Sequence, residues 1–144
     1  LDCPAKDEVF TASIGGGSRL NGKTLDVGDL SGELKVAGPK HFVVPFANAQ
    51  ARRVEAVGHV PSLAYRIALI AAGRISATFV KPNAHDWDLA AADLILAEAG
   101  GTLVGADGSR PHYAGKTVSH GVLAAGHPAL MDTMLGVVAA TTIG

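Results

Sequence analysis

The chain is poor in several things that usually announce a function. It has one cysteine, Cys3, and aromatic residues make up only 5% of it. A lone thiol excludes an internal disulfide and a Cys-rich zinc site, and it suits a reducing compartment, so a cytoplasmic protein is expected. Charge is scarce and balanced: 12 Lys and Arg against 13 Asp and Glu, a formal net charge of −1. With no basic tail, that balance argues against binding a nucleic acid polymer by bulk charge. No apolar run reaches the roughly 18–20 residues of a membrane span, so no membrane partner is expected. The chain also lacks internal repeats, low-complexity stretches and an initiating Met. Leu1 opens a segment without signal-peptide character, and the expectation is that sequence upstream has been removed or left out. What remains is 144 residues, 48% of them hydrophobic, and 18 glycines. That is enough apolar matter for a single core, in a chain punctuated as strand–helix alternations are.

The elements read as follows. Val9 to Ser13 is a strand, and Gly15-Gly16-Gly17 breaks it. Asn21-Gly22, between Ser18-Arg19-Leu20 and Lys23-Thr24-Leu25, is a strong hairpin signal. Leu34 to Ala37 is a short strand, while His41 to Gln50 reads equally as strand or short helix. Val54 to Val57 is a strand, and a helix begins at Pro61-Ser62 with Leu63, Ile67, Ile70 and Ala71 on one face, ending at Gly73. Ile75 to Val80 is a strand, Leu89 to Ala99 a buried helix capped by Gly100-Gly101, and Thr102 to Val104 and Val122 to Ala124 are strands. His127-Pro128 opens a last helix to about Val138. The order predicts an α/β layered fold (α+β overall) with a largely buried, mostly parallel mixed sheet. The first 30 residues read as an antiparallel hairpin from a second sheet, with residues 31–144 forming the α/β domain.

Three constellations carry chemistry. Gly17 to Thr24 fits G-x-x-x-x-G-K-T, the phosphate-cradling loop, which would make this a nucleotide-binding module. That loop needs a helix starting at its Lys-Thr end. Here Gly28 and Gly32 follow, each costing about 1 kcal/mol in a helix, so a plain hairpin tip is the better reading. Second, Lys81-Pro82-Asn83-Ala84-His85-Asp86-Trp87-Asp88 crowds polar groups at a strand-to-helix junction, where ligands bind in α/β sheets. Asp86 reads as a helix cap and Trp87 as core. Asp88, expected to be buried beside Trp87, reads evenly as a cap or as a ligand for a hard cation. Third, Ser62 opens the preceding helix. It is either an ordinary N-cap or a hydroxyl facing the same cleft as Asp88. The other histidines show no metal-ligand spacing, and Ser119-His120 with a distant Asp lacks the elbow that would support a hydrolase triad.

The run Trp87-Asp88-Leu89-Ala90-Ala91-Ala92, followed ten residues after the Asp by Glu98-Ala99-Gly100-Gly101, resembles the W-D-x-A-A … E-A-G-G signature of the inositol monophosphatase family. Asp2-Cys3-Pro4-Ala5-Lys6-Asp7-Glu8-Val9-Phe10-Thr11-Ala12 resembles that family's D-P-x-x-D-E-x-F-x-A segment. Gly15-Gly16-Gly17 with Leu20-Asn21-Gly22 is similar to its glycine hairpin, and Ser62-Leu63-Ala64 with Ala71-Ala72-Gly73 to the helix before Trp-Asp. The resemblance implies the C-terminal half of an α-β-α-β-α layered sandwich, usually dimeric. It implies a magnesium-dependent, lithium-sensitive phosphomonoesterase acting on inositol monophosphate, a sugar phosphate or a 3′(2′),5′-bisphosphate nucleotide through two-metal activation of water.

In that frame Asp88 binds Mg2+ on the leaving-group side, and Ser62, Leu63 and Ala64 line the sugar or inositol. His85 flanks the metal site. Lys81 stands where inositol-selective members carry a carboxylate, which implies a small substrate with an extra anionic group. The family's remaining metal carboxylates and its D-G-T loop are expected in the missing N-terminal half, so the isolated chain is expected to be inactive. The segment between Gly38 and Val54 is shorter than the family norm, which puts the helix expected there in doubt. The rival classes are the phosphate-loop module at Gly17–Thr24 and a non-catalytic interaction domain of the same fold.

Overall fold

The structure is a computed structural model that describes residues 1–30, 32–113 and 119–143. In chain order its elements are β1 (Asp2–Cys3), a 3-10 turn (Pro4–Lys6), β2 (Glu8–Ser13), β3 (Gly17–Leu20), β4 (Lys23–Thr24), β5 (Leu34–Ala37), α1 (Lys40–Asn48), β6 (Val54–Ala56), α2 (Leu63–Ala71), β7 (Ala77–Val80), β8 (Ala84–His85), α3 (Asp86–Glu98), β9 (Thr102–Gly105), β10 (Ser119–His120), β11 (Leu123–Gly126), a 3-10 turn (Pro128–Leu130) and α4 (Met131–Ile143).

Four layers follow from period-2 alternation in the central sheet. Its order is β6-β5-β7-β11-β9. Leu34 and Val36 of β5, Ala77 and Phe79 of β7, Ala124 of β11 and Val104 of β9 face α1 and α4. Ala37, Val80, Leu123, Ala125 and Leu103, one residue out of phase, face α2 and α3. A shift of one residue would turn every one of these side chains over, so burial on both faces fixes the register. Phe42 of α1 stacks on Phe79 and Phe46 meets the same ring edge-on, with ring centroids 5.3 Å and 5.8 Å away. Beyond α3 lies the second sheet, β1-β2-β3-β4, all antiparallel, with Phe10 buried against α2 and α3. Both faces of α3 are thus covered, one by the sheet and α2, the other by β2 and β3. This is why its sequence shows so little amphipathic contrast.

The central sheet is mixed, but its parallel part is confined to β6-β5-β7. β11 runs antiparallel to both of its neighbours, β7 and β9, so the parallel share is smaller than expected. Two readings that the sequence left as alternatives are decided, the first in favour of the hairpin tip. The phosphate-loop reading of Gly17–Thr24 fails, because β3 and β4 pair across a two-residue turn in the register Leu20↔Lys23. Asn21 and Gly22 both have positive φ, 50° and 82°, as that tight turn requires. No helix starts at Lys23, so no helix N-terminus is there to hold a phosphate. The segment after Gly38 does form a helix, α1. Pro45 lies within it but on the exposed side, and Phe42, Val43 and Phe46 bury the other side.

Candidate functional site

The parallel strands β5, β6 and β7 end at one edge of the sheet, and a cavity of about 560 Å³ opens there. Crevices outside the carboxyl ends of parallel strands are where α/β sheets bind ligands, since the loops diverge there and leave room. Gly38 after β5, Val57 after β6 and Lys81 after β7 line the cavity, with Leu63 and Arg66 from α2. Lys40, Arg66 and Lys81 give it three formal positive charges, and no Asp or Glu is among its described lining residues. The Arg66 Nε is buried without a hydrogen-bond partner among the described residues, and burial pushes the guanidinium below its ordinary pKa. An unpaired, partly desolvated cation at a concave wall favours an anion in the cavity.

The turn that supplies Lys81 runs directly into α3. Asn83 takes a positive φ of 76°, and β8 then pairs antiparallel with β10, Ser119↔His85 and His120↔Ala84. α3 starts at Asp86, three residues earlier than the sequence suggests. At the third helical position, Asp88 Oδ2 accepts the backbone N–H of His85 at 3.2 Å, closing the helix start as a capping carboxylate does. His85 Nδ1 lies 3.9 Å from the same oxygen. The expectation that Asp88 is buried beside a core Trp87 is wrong. Trp87 is 73% exposed and stacks face to face on His85, ring centroids 4.2 Å apart. Helical geometry explains it: at about 100° per residue, Trp87 lies roughly opposite Leu89, Ala92 and Leu96, which own the buried side. Asp88 itself is partly exposed.

These features bear on a metal. The Asp88 carboxylate is a hard oxygen donor, oriented by its capping bond and still reached by solvent, so it fits a magnesium ligand. It is one ligand, and among the described residues no three His, Cys, Asp or Glu side chains cluster to make a complete site.

The expected substrate residues are divided. Leu63 and Lys81 meet in the cavity. Ser62 lines a neighbouring hollow of about 900 Å³, and its Oγ accepts the Tyr65 N–H at 3.1 Å as the N-cap of α2. Ala64 packs against the core. His85 and Asp88 stand at the α3 start, beyond the residues lining either space. One residue escaped the sequence reading and another was read too simply. Arg66 gave no signal, since one Arg in an apolar helix reads as solvated. Asp86 is not a simple cap: its Oδ1 meets His120 Nε2 at 2.7 Å, a pairing across 34 residues that spacing does not reveal. His120 therefore does hold an Asp, although the side chain of Ser119, the third member of the discounted triad, lies outside the described residues.

The inositol monophosphatase family model matches residues 1–141. The chain belongs to the inositol monophosphatase family. It is 30% identical over 122 residues to an inositol monophosphatase of Dictyostelium discoideum, a match covering 76% of this chain and 44% of that protein. It is likewise 30% identical over 146 residues to an inositol-1-monophosphatase of Mesorhizobium japonicum, covering 92% of this chain and 51% of that one. Among solved structures, a Pyrococcus horikoshii protein described as similar to inositol-1 monophosphatase superposes with a TM-score of 0.80 at 23% identity, over 93% of this chain and 54% of its own. The chain thus spans about half the length of the family members it matches, and it shares their layered fold. Among the described residues, no helix is long and apolar enough to cross a membrane.

Proposed function

We propose that this chain is the substrate-side half of a magnesium-dependent phosphomonoesterase of this family. Family membership supports phosphatase chemistry, and Asp88 is the family's Trp-Asp carboxylate. One observation carries the substrate preference: a cavity at the parallel-strand ends is walled by Lys40, Lys81 and the unpartnered Arg66, with no described carboxylate to neutralise them.

Asp88 contributes one carboxylate to a magnesium site whose other ligands lie in the half of the family fold outside this chain. When bound, magnesium polarises the phosphoryl oxygens and lowers the pKa of the attacking water. The residues here do the rest of the binding. Lys81 and Arg66 hold a second anionic group, so the substrate is a small bisphosphate, of a nucleotide or a sugar, in preference to plain inositol monophosphate. The Ser62 cap satisfies the Tyr65 N–H. The earlier first-turn N–H groups of α2, at Leu63 and Ala64, and the Ser62 hydroxyl proton are left to meet sugar oxygens. His85, held flat against Trp87, restrains the Asp88 carboxylate from the side.

The test is phosphate release by the full-length protein with Mg2+ from inositol monophosphate and from 3′-phosphoadenosine 5′-phosphate. The bisphosphate is expected to be the better substrate. Asp88→Asn is expected to lower kcat/KM at least about 100-fold, as loss of a metal ligand does. Lys81→Glu is expected to raise KM for the bisphosphate and spare the monophosphate. Unchanged activity in Asp88→Asn, or no release from any phosphomonoester, overturns the proposal.

A further inference from the structure

The first turn of α3 is held from within by groups that include the Asp88 carboxylate itself. It is closed by a capping box in which the His85 side chain meets the Asp88 backbone N–H and the Asp88 carboxylate accepts the His85 N–H. A cation drawing on Asp88 competes for the same oxygens, so the turn needs an anchor that does not depend on Asp88.

His120 supplies one. Its carbonyl accepts the Asn83 N–H at 2.6 Å, its backbone pairs with Ala84, and its Nε2 meets Asp86 Oδ1 at 2.7 Å. A carboxylate can only accept, so Nε2–H donates. Both side chains are mostly buried. Behind His120 stands Tyr113, edge-on at 5.7 Å, whose hydroxyl donates to Asp93 Oδ2 at 2.8 Å. Asp93 is buried, and its other oxygen lies 3.5 Å from Arg110. Asp86 and Asp93 are seven residues apart, so they lie on one helix face, roughly 10 Å along the axis. His120 and Tyr113, in contact with each other, therefore grip α3 at two points on a single face. This fixes both the rotation of the helix and the height of its first turn.

We propose that His120 is a positioning residue: through Asp86 it sets the direction in which Asp88 presents its carboxylate. The proposal rests on the reading of Asp88 as a magnesium ligand. Partners that orient a ligand in this way typically change metal affinity 10–100-fold when removed.

The experiment uses the full-length protein, with Mg2+ titrated calorimetrically well below the unfolding temperature. The variants are His120→Gln, whose amide nitrogen reaches about as far as Nε2, and His120→Asn, whose amide nitrogen falls short of Asp86. His120→Asn is expected to weaken one magnesium site about tenfold, and His120→Gln to stay within about threefold of the parent. Amide exchange over residues 86–89 without metal is expected to quicken in His120→Asn and not in His120→Gln. A purely structural role lowers the melting temperature of the variants without separating their affinities. Equal affinities and equal exchange in the two variants overturn the proposal. Asp88→Asn is the control for the underlying reading: if it retains every magnesium site, the metal assignment fails, and the exchange comparison alone decides whether His120 clamps the helix.

Discussion

Glu98, the acidic residue of the Glu-Ala-Gly-Gly run, lines neither of the two cavities described above. It ends α3, and its carboxylate accepts two backbone N–H groups from the glycine turn between β2 and β3: Gly17 at 2.9 Å, part-buried, and Gly15 at 3.1 Å, exposed. One side chain thereby latches the antiparallel sheet onto the α/β body. Hydrogen bonds to a charged acceptor contribute about 1.5–3 kcal/mol when shielded and nearer 0.5–1 kcal/mol in water. Taking the low end for Gly17 and the solvent value for Gly15, Glu98→Ala is expected to cost about 2–2.5 kcal/mol. At a urea slope of about 1–2 kcal/mol per molar, the unfolding midpoint falls by roughly 1–2.5 M. Glu98→Gln keeps one acceptor oxygen and loses the charge, so about half that loss is expected. The loss is local first: amides of β2 and β3 should exchange faster than those of β7 and β11. A midpoint for Glu98→Ala within roughly 0.2 M of the parent would refute the latch.

Other outcomes follow from pairs already described or close to them. Buried Glu8 accepts from the Tyr65 hydroxyl at 2.5 Å and pairs with Arg74 at 2.6 Å, and the Tyr65 bond, with Arg74, holds its carboxyl below the ordinary 4.5. A depressed carboxyl stabilises the fold above its ordinary pKa and loses that effect as pH falls through the folded value. Urea midpoints should therefore drop below about pH 4.5, and Tyr65→Phe should flatten that dependence. Both tyrosines resist ionisation: burial, then the Glu8 bond, push Tyr65 up to about 12, and burial and Asp93 push Tyr113 up as well. The folded chain should show no phenolate absorbance step near pH 10, and stability should decline as pH rises from about 10 towards 12. Gly38 has a φ of 127°, and a Cβ there would stand 2.8 Å from the Phe79 carbonyl oxygen. Gly38→Ala should cost about 2 kcal/mol or more by thermal or urea unfolding.

Local chemistry wrote most of the fold into the sequence, and the exceptions have physical causes. Asn21-Gly22 specified its hairpin because few residue pairs tolerate two positive φ angles in succession. Ser62 specified the start of α2 through a cap that needs only neighbours. α1 was ambiguous because Val43, Val44 and Pro45 disfavour a helix locally. Burial of Phe42, Val43 and Phe46 against Phe79 overrides that preference, and the Pro faces water, where the bond it forgoes matters least. Trp87 was misplaced by its residue type, and the weak amphipathic contrast of α3 offered no periodicity to correct it. The candidate site was legible as a strand-to-helix junction. The partners that shape it, Arg66 over the cavity and His120 on Asp86, depend on the tertiary arrangement of separate elements, and nothing in their sequence spacing encodes that.

β11 follows β7 and β9 in the chain, yet it lies between them in the sheet. Its insertion there governs assembly. While residues 123–126 are still emerging from the ribosome, β7 and β9 each carry a row of unsatisfied amides and carbonyls, and neither can pair with the other in its native position. Completion of the sheet is therefore deferred until β11 has been made. A nonsense codon between Gly105 and Leu123 leaves a product with two sticky borders, which should accumulate as aggregate and never as a smaller folded core.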